Sequence, residues 1–152
     1  MGKALGRKFL GYALWVAKGR EVKCKVAQKP LLGFKARIRQ LTRRSGGRSM
    51  EQVVQRLRSY LLGWKAYFGL AQTPSVWRDL DEWLRHRLRA IQLKHWKRPG
   101  TMYRELKALG AAETVARRVA GNSRCWWRNS DRLLKTVLTI AYFDRLGVPR
   151  LS

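Results

Sequence analysis

Apolar residues change their spacing once along the chain. Between Phe9 and Ala17, and again between Glu21 and Ala27, aromatic and β-branched residues dominate, and the second stretch alternates Val22, Cys24 and Val26 with polar positions. The two stretches flank Lys18-Gly19-Arg20, so a β-hairpin is expected. Pro30 marks a boundary, beyond which the spacing moves to the helical period. Leu31, Phe34, Ile38 and Leu41 make one stripe of a helix that Ser45-Gly46-Gly47 stops. Ser49 and Gln52 form a capping box for a second helix, in which Met50, Val53, Val54, Leu57, Leu61, Trp64 and Phe68 trace a single face. Thr73-Pro74 opens a third, with Trp77, Leu80, Leu84, Leu88 and Ile91 inward, and it should end by Arg98, before Pro99-Gly100. Three shorter segments follow, Thr101 to Leu109, Ala112 to Ala120 and Asp131 to Leu146, each closed by a glycine. The last is apolar on most sides and is expected to be a buried helix. The predicted fold is mainly α: a β-hairpin in 1–28, a three-helix bundle in 29–98 and a small helical unit in 99–152.

Charge changes the picture. The 152 residues hold 34 Lys+Arg against 9 Asp+Glu, a formal net charge of +25. Self-repulsion on that scale calls for counter-ions or a polyanionic partner. With 45% hydrophobic residues and seven Trp, the chain is not a basic disordered tail and should build a core. It has no run of 18 apolar residues and no secretory signal at Met1 to Lys8, so no membrane association and a cytoplasmic location are expected. Cys24 and Cys125 stand far apart without C-x-x-C or metal-ligand spacing, which suits reduced thiols rather than a disulfide or a zinc site.

Groups for catalysis are sparse. Asp79 and Asp81 stand two apart, on different sides of a helix, while Asp81 precedes Arg85 by four, and Glu82 lies four from both Arg78 and His86, the spacing of helix-surface pairs. His86 and His95 lack companions at metal-ligand spacing, and no glycine-rich phosphate loop occurs. No catalytic residue, metal or cofactor is therefore expected.

Cations, by contrast, are patterned. Lys35, Arg37, Arg39, Arg43 and Arg44 occupy the polar surface of the first helix, with Arg48 in the following loop; Arg56, Arg58 and Lys65 lie on the second, where Tyr60 and Tyr67 accompany Arg56. On the third helix Arg78, Arg85, Arg89 and Trp96 fall on an arc expected to face away from the apolar stripe, Arg87 and Lys94 make a second row, and Lys97 and Arg98 end the helix. A solvated face usually mixes signs; these rows do not. Arginine outnumbers lysine nearly two to one, which favours bidentate phosphate contacts and stacking. In a predicted loop at 122–129, Arg124, Trp126, Trp127 and Arg128 could stack bases, or one Trp could plug the core while the other is exposed. About two-thirds of the seven Trp are expected in the core. RNA is the partner that cations interleaved with aromatics fit best.

Specific strings carry a resemblance. Phe34-Lys35-x-Arg37-Ile38-Arg39-x-Leu41-Thr42-Arg43-Arg44, Leu57-Arg58-x-Tyr60-Leu61-x-Gly63-Trp64-x-x-Tyr67-Phe68, Leu80-Asp81-x-Trp83-Leu84-Arg85-x-Arg87-Leu88-Arg89 and Trp96-Lys97-Arg98-Pro99 resemble the maturase-specific region of group II intron-encoded reverse transcriptases. Lys8-Phe9-Leu10-Gly11-Tyr12 resembles the last block of the polymerase palm in that family. The resemblance implies a palm-edge hairpin, a thumb-like bundle and a helical X, or maturase, domain that bind intron RNA, or an RNA/DNA duplex, and assist folding and splicing. The family's Tyr-x-Asp-Asp block belongs upstream of the Phe-Leu-Gly-Tyr strand and does not occur in this sequence, so polymerase activity would need a partner chain. A non-enzymatic RNA-binding fragment is the first expectation. A subunit completing a separately encoded reverse transcriptase palm, a mobile-element remnant without function, and a general RNA-packaging protein are the alternatives.

Overall fold

The computed structural model describes residues 4–152. It is mainly α, as the periodicity predicts. The expected hairpin is present as β2 (Tyr12–Val16) and β3 (Val22–Val26), but a further strand, β1 (Ala4–Phe9), pairs with β2 and makes a three-stranded antiparallel sheet. Leu10 and Gly11 join β1 to β2 with φ of 49° and 84°, the left-handed pair that matches strand twist in a two-residue turn. Gly11 is constrained twice, because a Cβ there would come within 3.2 Å of both Phe68 and Pro30. The sheet is tied to the helices by the Ala27 N–H donating to Gly11 (2.8 Å), the Gln72 N–H donating to Cys24 (2.8 Å) and the Tyr12 hydroxyl donating to the Tyr67 carbonyl (2.6 Å).

Helix α1 (Gln28–Leu41) starts before Pro30 rather than after it. Proline fits in a first turn, where its missing N–H has no intrahelical partner in any case. Helix α2 (Met50–Phe68) has the Ser49–Gln52 capping box and buries the same seven residues that the sequence pattern selects. Helix α3 (Pro74–Trp96) ends at Lys97, whose φ is positive (54°), and α4 (Pro99–Ala108) begins directly with Pro99 in its first turn, two residues earlier than predicted. Phe34, Trp64, Phe68 and Trp77 form an aromatic cluster joining α1, α2 and α3, with centroid separations of 4.4 Å (Phe34–Trp64), 4.6 Å (Trp64–Phe68) and 5.2 Å (Trp64–Trp77).

Helices α4 and α5 (Glu113–Gly121) pack as a pair, and the rest departs from the predicted pattern. The expected loop at 122–129 is a 3₁₀ turn (Ser123–Cys125) running into α6 (Trp126–Arg132). The single helix expected over Asp131 to Leu146 is broken into the end of α6, a 3₁₀ turn (Leu134–Thr136) and α7 (Ile140–Arg145). Thr139 caps α7, its hydroxyl accepting from the Tyr142 N–H. The breaks let Leu134, Leu138, Phe143, Val148 and Leu151 all reach one core, which a continuous rod could not do. That core runs without interruption from Val26 through α1, α2 and α3 to Leu151.

Only Trp64 and Trp77 of the seven Trp are buried. Trp83, Trp96 and Trp126 are half-buried against the core, and Trp127 is 41% exposed. Fewer indoles are interior than the sequence suggests; Trp15 is half-buried as well, which leaves Trp127 as the exposed one.

Candidate nucleic-acid interface

The cations of α1 and α3 meet around one indole. Lys35 and Arg39, one turn apart on α1, and Arg87, one turn beyond Trp83 on α3, place their charged groups 5.9, 5.5 and 5.5 Å from the Trp83 ring centroid. Arg87 is fixed from behind: its Nε donates to the Thr42 hydroxyl (2.7 Å) and its Nη2 to the Thr42 carbonyl (3.3 Å). Thr42 is itself buried and anchored, its hydroxyl donating to the Ile38 carbonyl at 2.6 Å. Burial lowers the Arg87 pKa, and the nearby Arg39 charge lowers it further.

From Thr42 the chain turns through Arg43, exposed, to Arg44, whose guanidinium lies 4.1 Å from the Trp126 ring and whose pKa is lowered by burial. Trp126 meets Trp127 edge to face at 5.7 Å, and Trp127 stacks on His86 at 3.8 Å. His86 Nε2 donates to the Trp127 carbonyl (2.9 Å), which fixes that ring and its tautomer. The result is a ribbon from Lys35 and Arg39 through Trp83, Arg87, Arg44 and Trp126 to Trp127. None of its cations takes part in the ion pairs among the described residues. Unpaired cations beside partly exposed indoles can hold phosphates and stack unpaired bases together.

Arg44 also lines a groove of about 900 Å³ with Arg48, Lys94, His95, Trp96 and Lys97; Glu51 and Glu105 add negative charge. His95 Nε2 donates to the Arg48 carbonyl (2.9 Å), joining the α1–α2 loop to the end of α3. Ribbon and groove are therefore continuous at Arg44.

The sequence pattern places Arg85 and Arg89 on the outer arc of α3, but the structure buries both. They are 0% and 2% exposed. The segment after α6 covers that arc, and the two side chains hold it. Arg85 pairs with Asp81 (2.8 Å) and Asp144 (3.2 Å) and donates to the Pro149 carbonyl (3.4 Å). The Asp81 carboxylate accepts from the Leu151 N–H (3.0 Å), the Ser152 N–H (2.9 Å) and the Ser152 hydroxyl (2.9 Å). Arg89 Nε donates to the Leu138 carbonyl (2.8 Å), and burial pulls its pKa down to about 10, leaving it charged at neutral pH. The expected Asp81–Arg85 pair exists, then, but as an interior pair. Glu82, expected to pair with Arg78 or His86, pairs with Lys135 instead.

Of the other cations singled out by sequence, Arg58 and Lys65 are exposed on α2 and clamp the carboxy-terminal segment, donating to the Gly147 (3.1 Å) and Arg150 (2.9 Å) carbonyls. Arg37 donates to Gln40. Arg56, Arg78, Arg98, Arg124 and Arg128 are exposed outside the ribbon and groove just described. Sequence reasoning missed Trp83, His86 and His95 as parts of the surface. The Trp83–Arg87 spacing of four was a usable signal; the approach of α1 to Trp83 left none.

The family model of the group II intron maturase-specific domain matches residues 31–110, just over half of the chain, spanning α1, α2, α3 and α4. No curated protein matches the sequence.

Proposed function

This chain belongs to the family of the group II intron maturase-specific domain, which ties it to group II intron splicing, and from that premise we propose that it acts by binding folded intron RNA through the ribbon and groove centred on Arg44. The observation that carries the proposal is the ribbon itself: the unpaired cations Lys35, Arg39 and Arg87 gather around Trp83, and Arg44 lies over Trp126, which meets Trp127. Arginine and lysine would neutralise backbone phosphates, and Trp127 would stack an unpaired base. The protein contributes no bond-making step in this reading. It assists splicing by offsetting phosphate repulsion where intron helices approach one another, which favours the compact RNA.

A filter-binding series with a group II intron RNA and a size-matched structured RNA tests this. With about six to ten phosphates neutralised, affinity should fall roughly 1,000- to 100,000-fold between 50 and 200 mM salt, by analogy with duplex DNA. The intron RNA should stay the tighter ligand throughout. A flat salt dependence, or equal affinity for both RNAs, refutes the proposal.

A further inference from the structure

A separate cleft of about 350 Å³ opens between the end of α5 and α6. Arg118, Arg128 and Arg132 line it, with Asn122, Asn129 and Cys125. Arg128 and Arg132 stand one helical turn apart on α6, and Arg118 arrives from α5 across the 3₁₀ turn. The turn is pinned by the buried Asn129, whose Nδ2 donates to the Asn122 carbonyl (2.9 Å), and by the Asn122 N–H, which donates to the Arg118 carbonyl (3.1 Å).

No carboxylate lines this cleft, and none of its three arginines enters an ion pair among the described residues. Like charges one turn apart destabilise a helix. Three guanidinium groups around one concavity are therefore an arrangement that an anion would relieve, and their planar forks match phosphate oxygens bidentately. The volume lies at the low end of small-ligand sites and exceeds what one phosphate fills, so an attached sugar can enter with it.

We propose that this cleft binds a phosphate group together with its sugar, supplied by an RNA strand or by a free nucleotide. For the first source the inference rests on the RNA-binding reading above; for the second it does not. Arg128 directly follows Trp127 in α6, so the cleft adjoins the ribbon along the chain.

Cys125 is an exposed free thiol in the lining, and Cys24, in β3, is a free thiol elsewhere, so the protein carries both a reporter and a control. The full chain is treated with N-ethylmaleimide at constant ionic strength, alone, with saturating oligouridylate RNA, or with uridine monophosphate, and each cysteine is followed by peptide mass mapping. RNA binding is measured in parallel by anisotropy.

Cys125 modification should slow severalfold with ligand while Cys24 is unchanged. In Arg118→Gln combined with Arg132→Gln, protection should vanish and the salt slope of RNA binding should fall by about one. Protection by RNA alone assigns the site to a strand; protection by the mononucleotide assigns it to a free nucleotide. RNA that binds without protecting Cys125, with no protection from the nucleotide, overturns the cleft and leaves the ribbon standing. Absence of both RNA binding and protection overturns both readings. Protection that survives the double substitution also overturns the cleft, since the shielding would then arise elsewhere.

Discussion

Replacing Arg85 with alanine should destabilise this protein while leaving its RNA contacts in place. Arg85 is fully buried and is the counter-charge for Asp81 and Asp144. Its loss leaves Asp81, 5% exposed, with only the N–H groups of Leu151 and Ser152 and the Ser152 hydroxyl as partners. Breaking one partner out of a buried ion pair costs about 3–5 kcal/mol. Domains of this size hold only about 5–15 kcal/mol in total. With about 2–4 °C per kcal/mol for a chain of this length, the melting midpoint should drop by roughly 6–20 °C. Circular dichroism melts at fixed salt measure the shift, and anisotropy well below the midpoint measures RNA affinity, which should stay near that of the parent. Arg85→Met combined with Asp81→Asn removes both charges and should recover part of the loss, because what destabilises is the unpaired carboxylate rather than the missing bond. An Arg85→Ala protein that melts like its parent while losing RNA affinity would place this side chain outside, and the packing of 134–152 over α3 would be wrong.

Trp64, at the centre of the aromatic cluster with Phe34, Phe68 and Trp77, should cost about 3–5 kcal/mol when truncated to alanine, read from urea denaturation; a change below about 0.5 kcal/mol, the range of surface substitutions, contradicts its interior placement. Lys35→Ala with Arg39→Ala should leave the urea midpoint almost unmoved and lower the salt slope of RNA binding by about two, one per phosphate contact; an unchanged slope removes α1 from the interface. The Asp144 pKa lies below its ordinary value, chiefly through the hydrogen bond from Arg150 and then that from Arg85. Its contribution to stability is therefore full above the unfolded-state pKa of about 3.9 and is lost as pH falls through the lower folded value. Acid titration of stability below about pH 4 should be shallower in Arg150→Ala than in the parent, and equal slopes would show that the pair carries no linkage.

Much of the fold is legible in the chain because α1 and α2 are buried on one side only. On α2 the seven apolar positions recur at helical spacing, and the Ser49–Gln52 box announces the start, so local propensity and burial agree. Ribbon cations such as Lys35, Arg39 and Arg44 were visible as unpaired, one-signed surface charge. Thr139 was a usable signal for the break before α7, outweighed by the apolar density of the run around it.

Helix α3 defeats the same logic. It is buried on two sides, with Leu84 and Leu88 in the shared hydrophobic core and Asp81, Arg85 and Arg89 against the carboxy-terminal segment. Charge reads as exposure in a linear pattern, since an isolated ion is rarely interior. Whether Arg85 is isolated depends on Asp144 and the Pro149 carbonyl, about sixty positions away. The sequence by itself determined which residues could form helices, which faces were apolar and that the surface would seek a polyanion. Only the tertiary structure decided which arginines reach that surface, because a charged side chain can be buried once distant carboxylates and carbonyls replace the water it loses.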